Sequence, residues 1–171
     1  FSTAGTNVAI TAATTVASSV DINALKRTGS FALTIGAGQT LGITSGMILN
    51  TSGTGTITGG TVAFGSKPGV LFGTNNISSA ITGSDGVIVA SGNGTFSGDL
   101  SGLSGTMDVY GSTPNINTDT FAGPIKVRTG ALNLNVSQTA GGAITFGVAE
   151  NDANLIPTNP TINISGAGAN A

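Results

Sequence analysis

Residues 52–60 read "SGTGTITGG". Ile57 is the one large hydrophobe in the stretch, four of the nine residues are glycine, and the others are serine and threonine. In a globular domain such a segment would be a loop. Its flanks argue for something else. "ITSGMILN" (43–50) precedes it and "TVAFG" (61–65) follows it. Both have the rhythm of strands, and the stretch keeps that rhythm with a single hydrophobe. Side chains alternate across a strand, so Ile57 points into a core while Thr56 and Thr58 point out. Gly53 and Gly55 turn the chain before it, and Gly59 and Gly60 turn it after.

The same alternation runs through the chain. Leu33 and Ile35, Leu41 and Ile43, Val62 and Phe64, Val87 and Val89, and Met107 and Val109 each form inward pairs. Ile125 with Val127, Leu132 with Leu134 and Val136, Ile144 with Phe146 and Val148, and Ile162 with Ile164 continue the series. Period two means strands with one buried face. Gly-Ala-Gly, Ser-Gly, Thr-Gly-Gly and Gly-Asn-Gly lie between them as turn signals. The segment "ASSVDINALKR" (17–27) also admits a helix, capped by Ser19 with Val20 and Leu25 on one face. Its β-branched residues fit a strand with Val20 and Ile22 inward better.

Composition narrows the fold and the function. Charged residues are 7% of the 171, against roughly 25% in an ordinary soluble domain. There are 28 glycines and no histidine, cysteine or tryptophan. Hydrophobic residues are 39%, so the chain collapses rather than staying disordered. Five basic against seven acidic residues give no basic footprint for a nucleic acid. No apolar run is long enough to span a bilayer as a helix. Inward Leu, Ile and Val, outward Thr, Ser and Asn, and small turns predict an all-β, single-domain β-solenoid, with hydroxyl and amide ladders covering its outer faces. Three strands of about 8 residues per coil give about six or seven coils. At one strand spacing per coil the rod is on the order of 30 Å long. Residues 1–19 read as an N-terminal strand or arm, 20–149 as the solenoid body, and 150–171 as a loop followed by a C-terminal strand.

Residues 20–64, "VDINALKRTGSFALTIGAGQTLGITSGMILNTSGTGTITGGTVAF", resemble the autotransporter-associated β-strand repeat proteins of bacteria. The pieces that carry the likeness are "DINAL", "LTIGAGQTL", "ITSGMIL" and "TGTITGGTV". "DGVIVASGNGTFSGDLSGLSG" (85–105) and "PIKVRTGALNLN" (124–135) continue it. The chain departs from the repeat at Met47, where a glycine is usual, at Phe96, where leucine is usual, and in "ENDANLIPTNP" (150–160), which reads as a loop leaving the rod. The resemblance implies a right-handed parallel β-helix, exported and displayed at or beyond the cell surface. It brings no enzymatic site and no cofactor.

Chemistry is sparse. Without histidine or cysteine the usual general bases and thiol nucleophiles are missing, and no P-loop, GxSxG, SxxK or intact GxGxxG occurs. Asp99 and Asp108, nine residues apart, are the one candidate acid/base pair for a β-helical lyase or hydrolase; otherwise both are turn residues. "TGSDGVIVA" (82–90) holds a single echo of a calcium nonapeptide, making Asp85 a weak metal candidate beside a plain Ser-Asp-Gly turn. Lys126 and Arg128 share the face opposite Ile125 and Val127. They form either a solvated outer face or an inter-subunit contact with an acidic patch at Asp99, Asp108 or Asp119, and Lys26 with Arg27 offers the same. Of five Asn-x-Ser/Thr triplets (Asn50, Asn76, Asn93, Asn135, Asn163), none is read as a modification site.

A solenoid's end coils expose unpaired backbone and apolar core, and neither "FSTAGTNVAIT" nor "TINISGAGANA" reads as a cap. The expectation is therefore a non-enzymatic extracellular structural or adhesive module, assembling with itself or continuing into further repeats of a larger parent chain. The alternative is a polysaccharide-binding module using an exposed Tyr110 or Phe121.

Overall fold

The computed structural model describes residues 5–136, 142–147 and 161–164. In chain order its strands are β1 (Asn7–Ile10), β2 (Thr14–Val16), β3 (Val20–Ile22), β4 (Ala24–Arg27), β5 (Leu33–Ile43) and β6 (Met47–Asn50). They continue as β7 (Thr56–Ala63), β8 (Gly69–Phe72), β9 (Asn76–Ile77), β10 (Ala80–Thr82), β11 (Val87–Val89) and β12 (Thr95–Phe96). The last six are β13 (Met107–Val109), β14 (Asn115–Ile116), β15 (Ile125–Val127), β16 (Ala131–Leu134), β17 (Ile144–Phe146) and β18 (Thr161–Ile164). No helix occurs among the described residues.

The pairing of these strands is parallel throughout, and sequence neighbours do not pair. One side of the body stacks β1-β4-β6-β8-β11-β13-β15-β17, and a second stacks β2-β5-β7-β9-β12-β14-β16-β18. A shorter third side pairs β3 with the far half of β5, that half with the far half of β7, and β7 with β10. The chain thus winds as a β-solenoid of about seven turns. Coil length varies. Val8 faces Leu25 and Leu25 faces Ile48, so one coil takes 17 residues and the next 23.

The interior is a set of apolar columns. On the second side Leu33, Ile57, Ile77, Phe96, Ile116 and Leu134 stand in register, one per coil. On the first, Leu25, Ile48, Leu71, Val89, Val109 and Val127 do the same. Ile57 is fully buried, with Thr56 and Thr58 partly exposed beside it. Removing one such side chain from water is worth about 1.5–3 kcal/mol, and stacking repeats the gain at every coil. The glycines after Ile57 are needed for their backbone. Gly59 and Gly60 have φ of 74° and 20°, and they pass against the Ile35 and Gln39 carbonyls of the coil below, where a Cβ would overlap. They do not end the strand, which runs on to Ala63 with a shifted register. Gly-Ala-Gly at 36–38 likewise lies inside β5 as an irregularity between Ile35 and Thr40 rather than a break.

Of the expected core, Leu33, Ile35, Leu41, Ile43, Val62, Phe64, Val87, Val89, Ile125, Val127, Leu132 and Leu134 are buried with Ile57. Three expectations need correction; one is Ile164 on β18, which is 57% exposed. Ile144 is only partly buried, and Phe146 is 47% exposed. Both lie on β17, the last strand of its sheet, where Phe146 tops the Leu25–Val127 column and no described strand covers it. "VDINAL" forms strands rather than a helix, with Ile22 inward. Val148 and the expected loop at 150–160 lie outside the described residues.

Candidate functional site

The densest polar chemistry lies on the outer face of the first side. Its strands bury alternate residues, which leaves Asp108 on β13 and Lys126 on β15 facing out and opposite each other. Tyr110 and Arg128 follow these strands two positions on, again on the outer face. Arg128 Nε donates to Asp108 Oδ1 at 3.1 Å and Nη2 donates to Oδ2 at 3.5 Å. The same guanidinium sits 5.2 Å from the centroid of the Tyr110 ring. The ion pair therefore joins two coils of one chain, on a partly solvated outer face. Its side chains are only partly buried, so the pair contributes roughly 0–1 kcal/mol.

Asp99 is not brought to this face. It follows β12, and its backbone carbonyl accepts from Ile81 of β10, on the third side. Its Oδ1 accepts the Ser101 amide at 2.8 Å. That bond, with further ones from the Ser101 and Thr120 hydroxyls, holds its carboxyl below the usual carboxylate range. The candidate Asp99–Asp108 acid/base pair is thus divided between two sides, because the backbone between them turns a corner through Leu100 and Leu103, both buried. Asp85 is exposed in its Ser-Asp-Gly bend, and Asp119 is exposed too. Among the described residues no three acidic, histidine or cysteine side chains gather as metal ligands would. Tyr110 is 39% exposed, but Arg128 lies over its ring, and Phe121 is buried. Of the two aromatics named for a sugar platform, Tyr110 is thus the exposed one and Phe121 belongs to the core.

Two polar arrangements escaped the sequence reading or exceeded it. Asparagine ladders run along the second side: Asn133 donates to Asn115 at 2.8 Å, Asn163 to Asn133 at 2.7 Å, and Asn135 to Asn117 at 2.7 Å. The outer ladders were expected; their asparagine-to-asparagine bonds need the coil register. The other arrangement is internal. Arg27, expected to face out with Lys26, is 1% exposed, and Asn50 and Asn75 are buried with it. The period-two rule that turns Leu25 inward turns Arg27 inward as well, and this was the available signal.

No family model matches the chain, and no match is found among curated proteins or among solved structures.

Proposed function

We propose that this chain is a non-enzymatic structural or adhesive module, displayed outside the cell, that assembles end to end through its terminal coils. One observation carries the reading. Among the described residues the two main interior columns finish on exposed apolar side chains, Phe146 at 47% and Ile164 at 57% exposure. Each sits on a strand paired on one side only among the described residues, β17 on β15 and β18 on β16. A second copy, stacked on the first, would continue both columns and both ladders of backbone hydrogen bonds. The likeness of residues 20–64 to autotransporter β-strand repeats supports an extracellular setting. The low charge and ladder-covered faces suit a passive surface, with other repeats of a parent chain as the equivalent neighbour.

Electron microscopy with light scattering on the purified chain tests this. Filaments or short stacks are expected at high concentration, and Phe146→Lys with Ile164→Lys should abolish them. A concentration-independent monomer without filaments would overturn the reading.

A further inference from the structure

Asparagine side chains tie this rod together, and one of them is left out. Among the described residues every other asparagine side chain gives or accepts a hydrogen bond. Asn93 is exposed, and its amide makes none. It stands in the corner between β11 and β12 and is followed by Gly94, which makes the one Asn-Gly pair in the chain. The fold dictates glycine at 94, because a Cβ there would overlap the Asn75 carbonyl oxygen on the neighbouring coil. The Gly94 N–H has no acceptor, and the Asn93 N–H reaches only the Thr74 hydroxyl, at 3.5 Å, the far limit of a hydrogen bond. An amide carbon and a backbone nitrogen that can attack it therefore sit side by side, neither held in a bond. The carbonyls around them are engaged. Gly92 O accepts from Thr113 at 3.4 Å and Gly94 O accepts from Asn115 at 2.8 Å, so the next coil's corner hangs from this one.

We propose that Asn93 is a self-modification site, converted to isoaspartate and aspartate through attack by the Gly94 backbone nitrogen. Gly94 has no side chain to hinder the approach of that nitrogen to Asn93 Cγ. The N–Cγ bond forms, the Cγ–Nδ2 bond breaks, and the Gly94 nitrogen gives up its proton as ammonia leaves. Water then opens the five-membered imide at either of its carbonyls. The net change is OH for NH2, with one water consumed, one ammonia released, and neither oxidant nor enzyme required. Either product adds a carboxylate and makes the chain one charge more negative. Opening at the main-chain carbonyl gives isoaspartate, which routes the backbone through Cβ and Cγ and lengthens it by one atom. That atom falls between Gly92 and Gly94, whose carbonyls hold Thr113 and Asn115. Both glycines already lie against the backbone of the coil below, so the corner has no slack to absorb it. The laddered asparagines are protected, because their amides are held in bonds and none precedes a glycine. The inference rests on this corner and not on the end coils, so it stands or falls separately from end-to-end assembly.

Incubation of the folded chain in mildly alkaline buffer tests this, with peptide mapping and enzymatic methylation of isoaspartate as readouts. Asn93 should convert at least tenfold faster than any other described asparagine. The product should focus as a more acidic species, and Asn93→Gln should not form it. Hydrogen exchange reads the structural consequence. In the converted chain the Thr113 and Asn115 amides should lose protection about tenfold, while those of β5 and β7 keep theirs. Asn93→Asp carries the charge without the extra backbone atom and should leave Thr113 and Asn115 protected. Asn93 staying intact in the folded chain, while the same chain in urea converts, would overturn the proposal, as would comparable conversion at several described asparagines. A converted chain with Thr113 and Asn115 still protected would overturn the backbone consequence.

Discussion

Arg27 and Asn50 stand opposite each other on adjacent coils, and both turn their side chains into the solenoid. Arg27 Nη2 donates to the Phe31 carbonyl at 2.9 Å, while its Nε and Nη1 and the Asn50 Oδ1 have no protein partner. Burial pulls the guanidinium below its ordinary pKa, although it stays charged at neutral pH. A buried charge without a counter-charge costs several kcal/mol, so this corner is a weak point in an otherwise apolar interior.

Arg27→Met is therefore expected to leave stability unchanged or to raise it by up to about 3 kcal/mol, after about 1 kcal/mol for the lost Phe31 bond. Urea titration measures this. A loss above about 2 kcal/mol would mean that the free donors are satisfied in solution and that the charge is structural.

Ile57→Ala should be far more costly. The residue is fully buried in the middle of a column between Leu33 and Ile77, so the cavity cannot collapse from one side. A loss of about 2–5 kcal/mol is expected, against less than about 0.5 kcal/mol for Thr34→Ser on the exposed face. Equal effects of the two would mean that the register is wrong.

The ladder on the second side predicts a local effect. Asn133 both donates to Asn115 and accepts from Asn163. Asn133→Ala should cost about 1 kcal/mol in total and should lower amide-exchange protection in β16 and β18 while leaving β5 and β7 unchanged. Uniform loss of protection would point to global destabilisation rather than a ladder.

Asp99 predicts an acid response with a defined sign. Its carboxyl is held below the ordinary range, chiefly by the Ser101 amide. Such a group stabilises the fold above its unfolded pKa, and the contribution is lost as pH falls through the lower folded value. Because Asp99 is exposed, the effect is small. Carbon NMR of its carboxyl should titrate below a model aspartate, and Asp99→Asn should flatten the pH dependence of stability in that acid window, being slightly less stable than the parent at neutral pH and equal to it in acid. A carboxyl titrating at or above the model value would remove the Ser101 contact from the account.

Much of this is legible in the sequence. Ile57 and the other paired hydrophobes follow from period two, and the polar outer faces follow from the same alternation. What was not legible depends on coil length. Asp108 and Arg128 meet because 18 residues separate Met107 from Ile125 in register, while the coil from Met47 to Val70 takes 23. Alternation fixes which way a side chain points but not which coil-neighbour it faces. Arg27 was misplaced for another reason. Charge argues for the outside, the alternation from Leu25 argues for the inside, and the alternation won because a one-residue slip would have expelled Leu25. Phe121 was placed outside although it lies in no strand at all, where period two has nothing to say.

The Asp108–Arg128–Tyr110 cluster yields a prediction with a clean reporter, since Tyr110 is the one tyrosine and tryptophan is absent. The guanidinium holds the carboxylate through Nε and Nη2 and lies over the ring. Lysine offers a point charge in place of that fork and stacks poorly. Arg128→Lys should shift Tyr110 emission toward that of free tyrosine while costing less than about 1 kcal/mol, because the pair is partly solvated. High salt should weaken the ion pair in the parent chain while leaving the stacking component, so Tyr110 emission should respond to salt only in part. Emission unchanged in Arg128→Lys would mean that the ring is held by its strand neighbours alone and that the cation contributes nothing to its environment.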